Sequence, residues 1–133
     1  MILYGAPLSP FVRKVLAYAA EKGIELELVP VGVGDPNPDF AACSPFRKMP
    51  GFRDGDFTIS DSTAIITSLE AKQPEPSMIP ADPADRARTV WFDEFRDTIV
   101  TSAGGKIVFD REGSPTYMGN PGGGVCATHG AAD

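Results

Sequence analysis

Histidine occurs once and cysteine only twice among the 133 residues, and these scarcities exclude several kinds of chemistry at the outset. Cys43 and Cys126 are far apart and belong to no CxxC pair. With His129 they supply three candidate ligands where a structural zinc site wants four, so no metal is expected. Two distant cysteines also make a poor disulfide framework, and a reducing cytoplasm is the expected compartment. No apolar run approaches the roughly 20 residues that span a bilayer. The opening "MILYGAPLSP" lacks a basic stretch followed by a long apolar one, so it does not read as a signal peptide. Cations are in deficit: 12 Lys and Arg face 18 Asp and Glu, a net charge of −6. That balance argues against nucleic acid or an anionic membrane as partner, although a few placed groups can still hold a small anion. "PGGGV" near the end lacks the GK[ST] of a phosphate loop.

What is present is ordinary for a single globular domain, at 42% apolar and 23% charged residues. "ILY" at 2–4 is a short apolar run closed by Gly5 and Pro7, which suits a buried strand. Ser9 and Pro10 open a helix: the serine can cap it, and the proline loses nothing at the first helical position. Val12, Val15, Leu16 and Ala19 fall on one face, and Gly23 can supply the left-handed residue that ends the helix. "IELELVPV" at 24–31 alternates apolar and charged residues as a half-buried strand does. Pro30 assigns that strand to a sheet edge. Strand, helix and strand in about thirty residues make a βαβ unit with parallel strands.

Residues 32–48 carry turn signals, with room for one short helix around 39–43. Asp54-Gly55 then marks a hairpin between 51–53 and 57–59. Ser60 or Asp61 caps a helix bearing Ile65, Ile66 and Leu69, which ends before Pro74. "PEPSMIPADP" reads as a proline-rich linker. Asp82-Pro83 opens a further helix, in which Trp91, Phe95 and Ile99 share a face for a core or an interface. Eight of the fourteen glycines lie within 104–133. No periodicity survives there, and a disordered tail is expected. The expected divisions are 1–76, 77–103 and 104–133.

Three stretches, "LSPFVRKVLAYAAEKGIELE", "SPFRKMPGFRDGDFTISDSTAI" and "IPADPADRARTVWF", together resemble the glutathione transferase family. The hydroxyl before Pro-Phe is most similar to its serine-type classes such as tau; the related omega class carries cysteine there. The resemblance implies an α/β fold: a thioredoxin-like βαβ-ββα domain, followed by the first helix of an all-helical domain that is truncated here. It implies that glutathione thiolate attacks electrophilic small molecules, a detoxifying transfer without metal or organic cofactor. Glutathione and the electrophile would be the partners, and the full-length family form a homodimer. It places Ser9 as the catalytic hydroxyl. Phe11, Lys48, Met49, Pro50, Asp61 and Ser62 fall at glutathione-binding positions: Lys48 for the glycyl carboxylate, Met49 before a cis Pro50 for the cysteinyl backbone, and Asp61-Ser62 for the γ-glutamyl end.

The chemistry of these residue types agrees with those roles. A thiol of pKa about 8.5 is mostly protonated at neutral pH, and its anion is the nucleophile. A hydroxyl at a helix N-terminus favours that anion through one hydrogen bond and the positive end of the dipole. Aspartate suits an α-ammonium, and a serine hydroxyl at a helix start suits an α-carboxylate. A competing reading is a non-catalytic binding or regulatory module with the same fold. A thiol-disulfide reductase would need a cysteine at position 9. Cys43 reads as a small apolar filler.

Overall fold

Helices begin in this chain where a side chain can satisfy the first free N–H groups, and the computed structural model, which describes residues 1–108, follows those caps closely. Ser9 caps helix α1 (Pro10–Glu21), Asn37 caps α2 (Pro38–Cys43), Asp61 caps α3 (Ser62–Lys72) and Asp82 caps α4 (Pro83–Glu94). Proline stands at the start of α1, α2 and α4, where its missing N–H costs nothing. α1 stops in a Schellman turn. Gly23 takes φ +67, its N–H bonds Ala20 O at 3.0 Å, and Ile24 N–H reaches back to Ala19 O at 2.8 Å.

Four short strands form one mixed sheet: β1 (Ile2–Tyr4), β2 (Glu27–Val29), β3 (Gly51–Asp54) and β4 (Phe57–Ser60), in the spatial order β2-β1-β3-β4. β1 is parallel to β2 and antiparallel to β3, and β3 and β4 form the hairpin. This is the thioredoxin-like arrangement. β2 lies at an edge, as Pro30 requires, but it is only three residues long, matched to three in β1. Ile24 and Leu26 still pack on the core without being in the ladder. The hairpin closes one residue later than expected. Asp54 pairs with Phe57, and the two loop residues are Gly55, at φ +60, and Asp56.

The strand period of two sorts the core into two layers. Leu28, Leu3, Phe52 and Ile59 are register partners in one row across the sheet, and all four join the cluster made with α1 and α3. Val12, Val15 and Ala19 of α1 and Ile65 and Leu69 of α3 complete it. Tyr4 points the other way, to Val31 and to Phe40 and Cys43 of α2. Gly51 looks like a weak strand residue in the sequence, and α2 explains it. A Cβ there would stand 3.0 Å from Cys43 Cβ and 3.2 Å from the Phe40 ring.

Beyond the linker, α4 runs into a π-helical segment (Phe95–Val100) and then α5 (Thr101–Val108). The helical run therefore passes the expected limit at 103 and includes Gly104 and Gly105. The rest of the expected tail lies outside the described residues. The Trp91–Phe95–Ile99 face is real: the rings of Trp91 and Phe95 stack at 6.1 Å. It is no core, however, because all three are exposed among the described residues.

Candidate functional site

Sheet register brings most of the expected site residues to one place. Tyr4, Gly51 and Ser60 are partners in a single row across β1, β3 and β4. The chain leaves that row from Tyr4 toward Ser9, enters it at Gly51 from Met49-Pro50, and leaves it from Ser60 into Asp61-Ser62. Three loops of unrelated sequence thus gather at one end of the sheet. Met49 fastens two of them. Its Sδ accepts the Ala6 N–H at 3.4 Å, and its Cβ lies against Gly5. The Met49–Pro50 peptide is cis, as is Glu75–Pro76.

Ser9 sits at the mouth of α1 and is only 6% exposed. Pro10 offers no N–H, so the Ser9 Oγ reaches to the N–H of Val12, at 3.5 Å. That is the long limit of a hydrogen bond, so the cap is loose. The hydroxyl proton goes to no acceptor among the described residues, which leaves it available to a ligand anion.

Asp61 holds φ +86, a region that a non-glycine residue occupies at a cost of about 1–3 kcal/mol. One carboxylate oxygen accepts Thr63 N–H at 2.9 Å and Ala64 N–H at 3.0 Å. The other makes no bond to the described residues, and the side chain is exposed. Ser62 is buried behind it.

Lys48 is exposed, and among the described residues it makes no ion pair. Its backbone is held by a residue that the sequence reading missed. The fully buried Ser44 hydroxyl accepts Lys48 N–H at 3.0 Å and donates to Lys48 O at 2.7 Å. Both backbone groups of one residue are therefore fixed by one side chain, closing the loop that delivers Lys48 and Met49. Arg47, within that loop, takes φ +56. A serine before proline carries no cue to this role.

A second group also escaped the sequence reading. Lys14 of α1 pairs with Asp93 and, at 2.9 Å, with Asp97, and it donates to Thr63 Oγ1 at 3.0 Å. Thr63 Oγ1 donates to Asp93 Oδ2 at 2.6 Å, and Ser62 Oγ lies 3.4 Å from Asp97 Oδ2. The Ser62 hydroxyl, expected to face a ligand carboxylate, thus already has a carboxylate neighbour. Asp97 also pairs with Arg96, whose guanidinium donates to Pro10 O and lies 5.6 Å over the Phe11 ring. Phe11 is accordingly covered by a cation. Cys43 faces none of this. Burial pushes its thiol up, against the lowering pull of Arg53 beside it, and a buried protonated thiol is no nucleophile. Among the described residues no group of three or more metal-ligand side chains comes together. His129 and Cys126 lie outside them.

Comparison with known proteins bears on the family and the fold. Residues 3–77 match the glutathione S-transferase N-terminal domain family. Glutathione S-transferase 3 of Zea mays is 35% identical over 96 residues, covering 68% of this chain and 43% of that protein. A stringent starvation protein A homolog of Coxiella burnetii is 30% identical over 88 residues, covering 66% and 42%. Among solved structures, glutathione transferase F2 from Populus trichocarpa superposes with a TM-score of 0.69 at 25% identity, covering 81% of this chain and 53% of that one. The chain spans roughly two fifths of the length of these curated relatives. The match covers all of the sheet but Ile2, the three helices packed on it and the loop cluster, and the chain belongs to the glutathione S-transferase family.

Proposed function

We propose that this chain binds glutathione in the loop cluster and activates its thiol for conjugation to an electrophilic small molecule. The observation that carries this reading is the register row Tyr4–Gly51–Ser60. It sets a hydroxyl at a helix mouth, a cis-proline strand entry and an acidic helix cap side by side. Ser9 donates a hydrogen bond to the glutathione sulfur, and the positive end of α1 adds to it, so the thiol loses its proton to solvent more readily. The sulfur anion then forms the S–C bond while the electrophile's leaving group departs with its electron pair. Met49 offers its backbone to the cysteinyl residue, with Pro50 and Phe11 shaping the floor. Lys48 takes the glycyl carboxylate, and Asp61 with Ser62 takes the γ-glutamyl end. This chemistry asks for no resident metal or organic cofactor, since glutathione is a co-substrate. A detoxifying role in a reducing cytoplasm and a homodimeric assembly go with the reading. Among the described residues no helix is long and apolar enough to cross a membrane.

The test is a thiolate absorbance titration of bound glutathione in wild type and Ser9→Ala. The serine-to-alanine change raises the bound thiol's pKa by about one unit, the scale of one charge-assisted bond, and leaves affinity near neutrality almost unchanged. Superimposable titrations would reduce Ser9 to a cap. The match to a stringent starvation protein A homolog favours a second reading, a regulatory module of the same fold. That reading predicts glutathione bound with its thiol pKa unshifted, or no glutathione bound at all.

A further inference from the structure

Two consecutive charged residues of the π-helical segment reach opposite ends of the loop cluster. Arg96 donates to Pro10 O, lies 5.6 Å over the Phe11 ring and pairs with its neighbour Asp97. Asp97 in turn meets Ser62 Oγ at 3.4 Å and Lys14 Nζ at 2.9 Å. Both residues lie in the π-helical segment, and π turns are frequent at functional sites. One ion pair therefore ties the first turn of α1 to the first residue of α3, across roughly ninety positions of sequence in the case of Arg96 and Pro10.

That tie matters because Ser9 is poorly held by its own cap. At 3.5 Å, the Oγ–Val12 bond is too long to fix the hydroxyl rotor, and Ser9 is held through its backbone instead, its N–H on Ala6 O at 2.9 Å and its carbonyl on Arg13 N–H at 3.0 Å. Pro10 and Phe11 are the next two residues, and both are gripped by the same planar guanidinium, one through a carbonyl and one through a ring face. We infer that Arg96 is a positioning residue for the thiol end of the site, holding the first turn of α1 so that the Ser9 hydroxyl stays aimed at the ligand sulfur. The inference rests on the glutathione reading above and extends it from the sheet domain to the helix that follows. Arg96 need not touch the ligand. Its planar fork does what a lysine at the same charge could not, because a lysine cannot bond a carbonyl and an aspartate in one plane while stacking on a ring.

The experiment uses the full chain and two ligands: glutathione, and its analogue with a methyl group in place of the thiol. Calorimetry gives both dissociation constants, and absorbance gives the pKa of the bound thiol, for wild type, Arg96→Met and Arg96→Lys. Arg96→Met is expected to lower the bound thiolate-to-thiol ratio at neutral pH by about tenfold, one pKa unit, while the thiol-less analogue binds within about twofold of wild type. Arg96→Lys, the milder change to the fold, is expected to restore less than half of the lost shift. Equal weakening of both ligands, or an unmoved thiol pKa, would make Arg96 a structural bridge only. Full rescue by lysine would make the effect one of charge and overturn positioning. If wild type binds neither ligand, the glutathione reading falls and takes this inference with it. If wild type binds glutathione and only the Arg96 results fail, this inference falls alone.

Discussion

Removing the charge of Glu70 should loosen the linker from the sheet domain in a way that acid erases. Glu70 lies on α3, and one oxygen accepts Met78 N–H at 3.1 Å and Ile79 N–H at 3.3 Å from the linker. The other meets Lys22 Nζ at 2.6 Å and the Tyr18 hydroxyl. The Lys22 side chain is wholly buried, and it also donates to Gln73 O at 2.6 Å and Pro76 O at 2.7 Å. Burial alone would raise the Glu70 carboxyl. The hydrogen bonds from Lys22, Tyr18 and the two backbone N–H groups outweigh it, and bring the pKa down from 4.5 to about 2. A shift of that size corresponds to about 3 kcal/mol at most. Water still reaches part of the carboxylate, so roughly half of that, about 1.5–2 kcal/mol, is the expected contribution. Because the folded pKa lies below the unfolded one, the contribution is complete above about pH 4.5 and drains away as pH falls toward about 2. Glu70→Gln keeps the shape and loses the charge. Its urea midpoint near pH 7 should fall below wild type by about 1–2 M, for a slope of about 1–1.5 kcal/mol per M. Near pH 3 the gap in stability should have shrunk by about half. A gap of equal size at both pH values would refute the electrostatic account, and no gap near pH 7 would refute the clamp itself.

Other outcomes follow from residues already described. Asp61→Asn keeps the cap acceptor and removes the charge, so it should weaken glutathione binding by about 1–3 kcal/mol with little change in melting temperature; calorimetry and a thermal melt read the two. Ser44→Ala leaves Lys48 N–H and C=O without their buried partner and should cost about 1–3 kcal/mol of stability, measured by urea unfolding. In the same variant, affinity for glutathione should drop more than affinity for γ-glutamylcysteine, which lacks the glycyl carboxylate assigned to Lys48. Gly5→Ala would drive a Cβ to 2.3 Å from Val12 Cγ2, and such overpacking should destabilise the fold by about 1–3 kcal/mol. A melt within error of wild type would show that α1 can shift to make room.

The elements that sequence made legible are those written in local chemistry. Ser9-Pro10, the pair Ser60-Asp61 and Asp82-Pro83 each declare a helix start within a few residues, and Gly23 declares a stop. The three loops of the site were readable for the same reason, since each carries its own short pattern. What could not be read depends on distant partners. The length of β2 is set by the three residues of β1, not by its own alternation. Gly51 made sense only once α2 was seen lying over it. Ser44 and Arg96 have no local signature, because each acts on a backbone whose position only the folded chain defines. Exposure of Trp91 was likewise beyond reach, as periodicity reports a shared face and not what covers it.

The sheet order also has a consequence for how the chain comes to exist. β1 is made before the other three strands, yet it is an inner strand, flanked by β2 and β3. Its antiparallel partner Phe52 is made about fifty residues after Leu3, a delay of roughly 2–10 s at typical elongation rates. During that interval only the β1–α1–β2 unit and α2, which packs on Tyr4 and Val31, can assemble. One side of β1 and the apolar face of α1 that α3 later covers stay open to the cell. The nascent chain is thus most exposed to aggregation or chaperone capture while the hairpin is still inside the ribosome. Mutations that slow β3–β4 closure should therefore lower yield in cells more than they lower the stability of the finished fold.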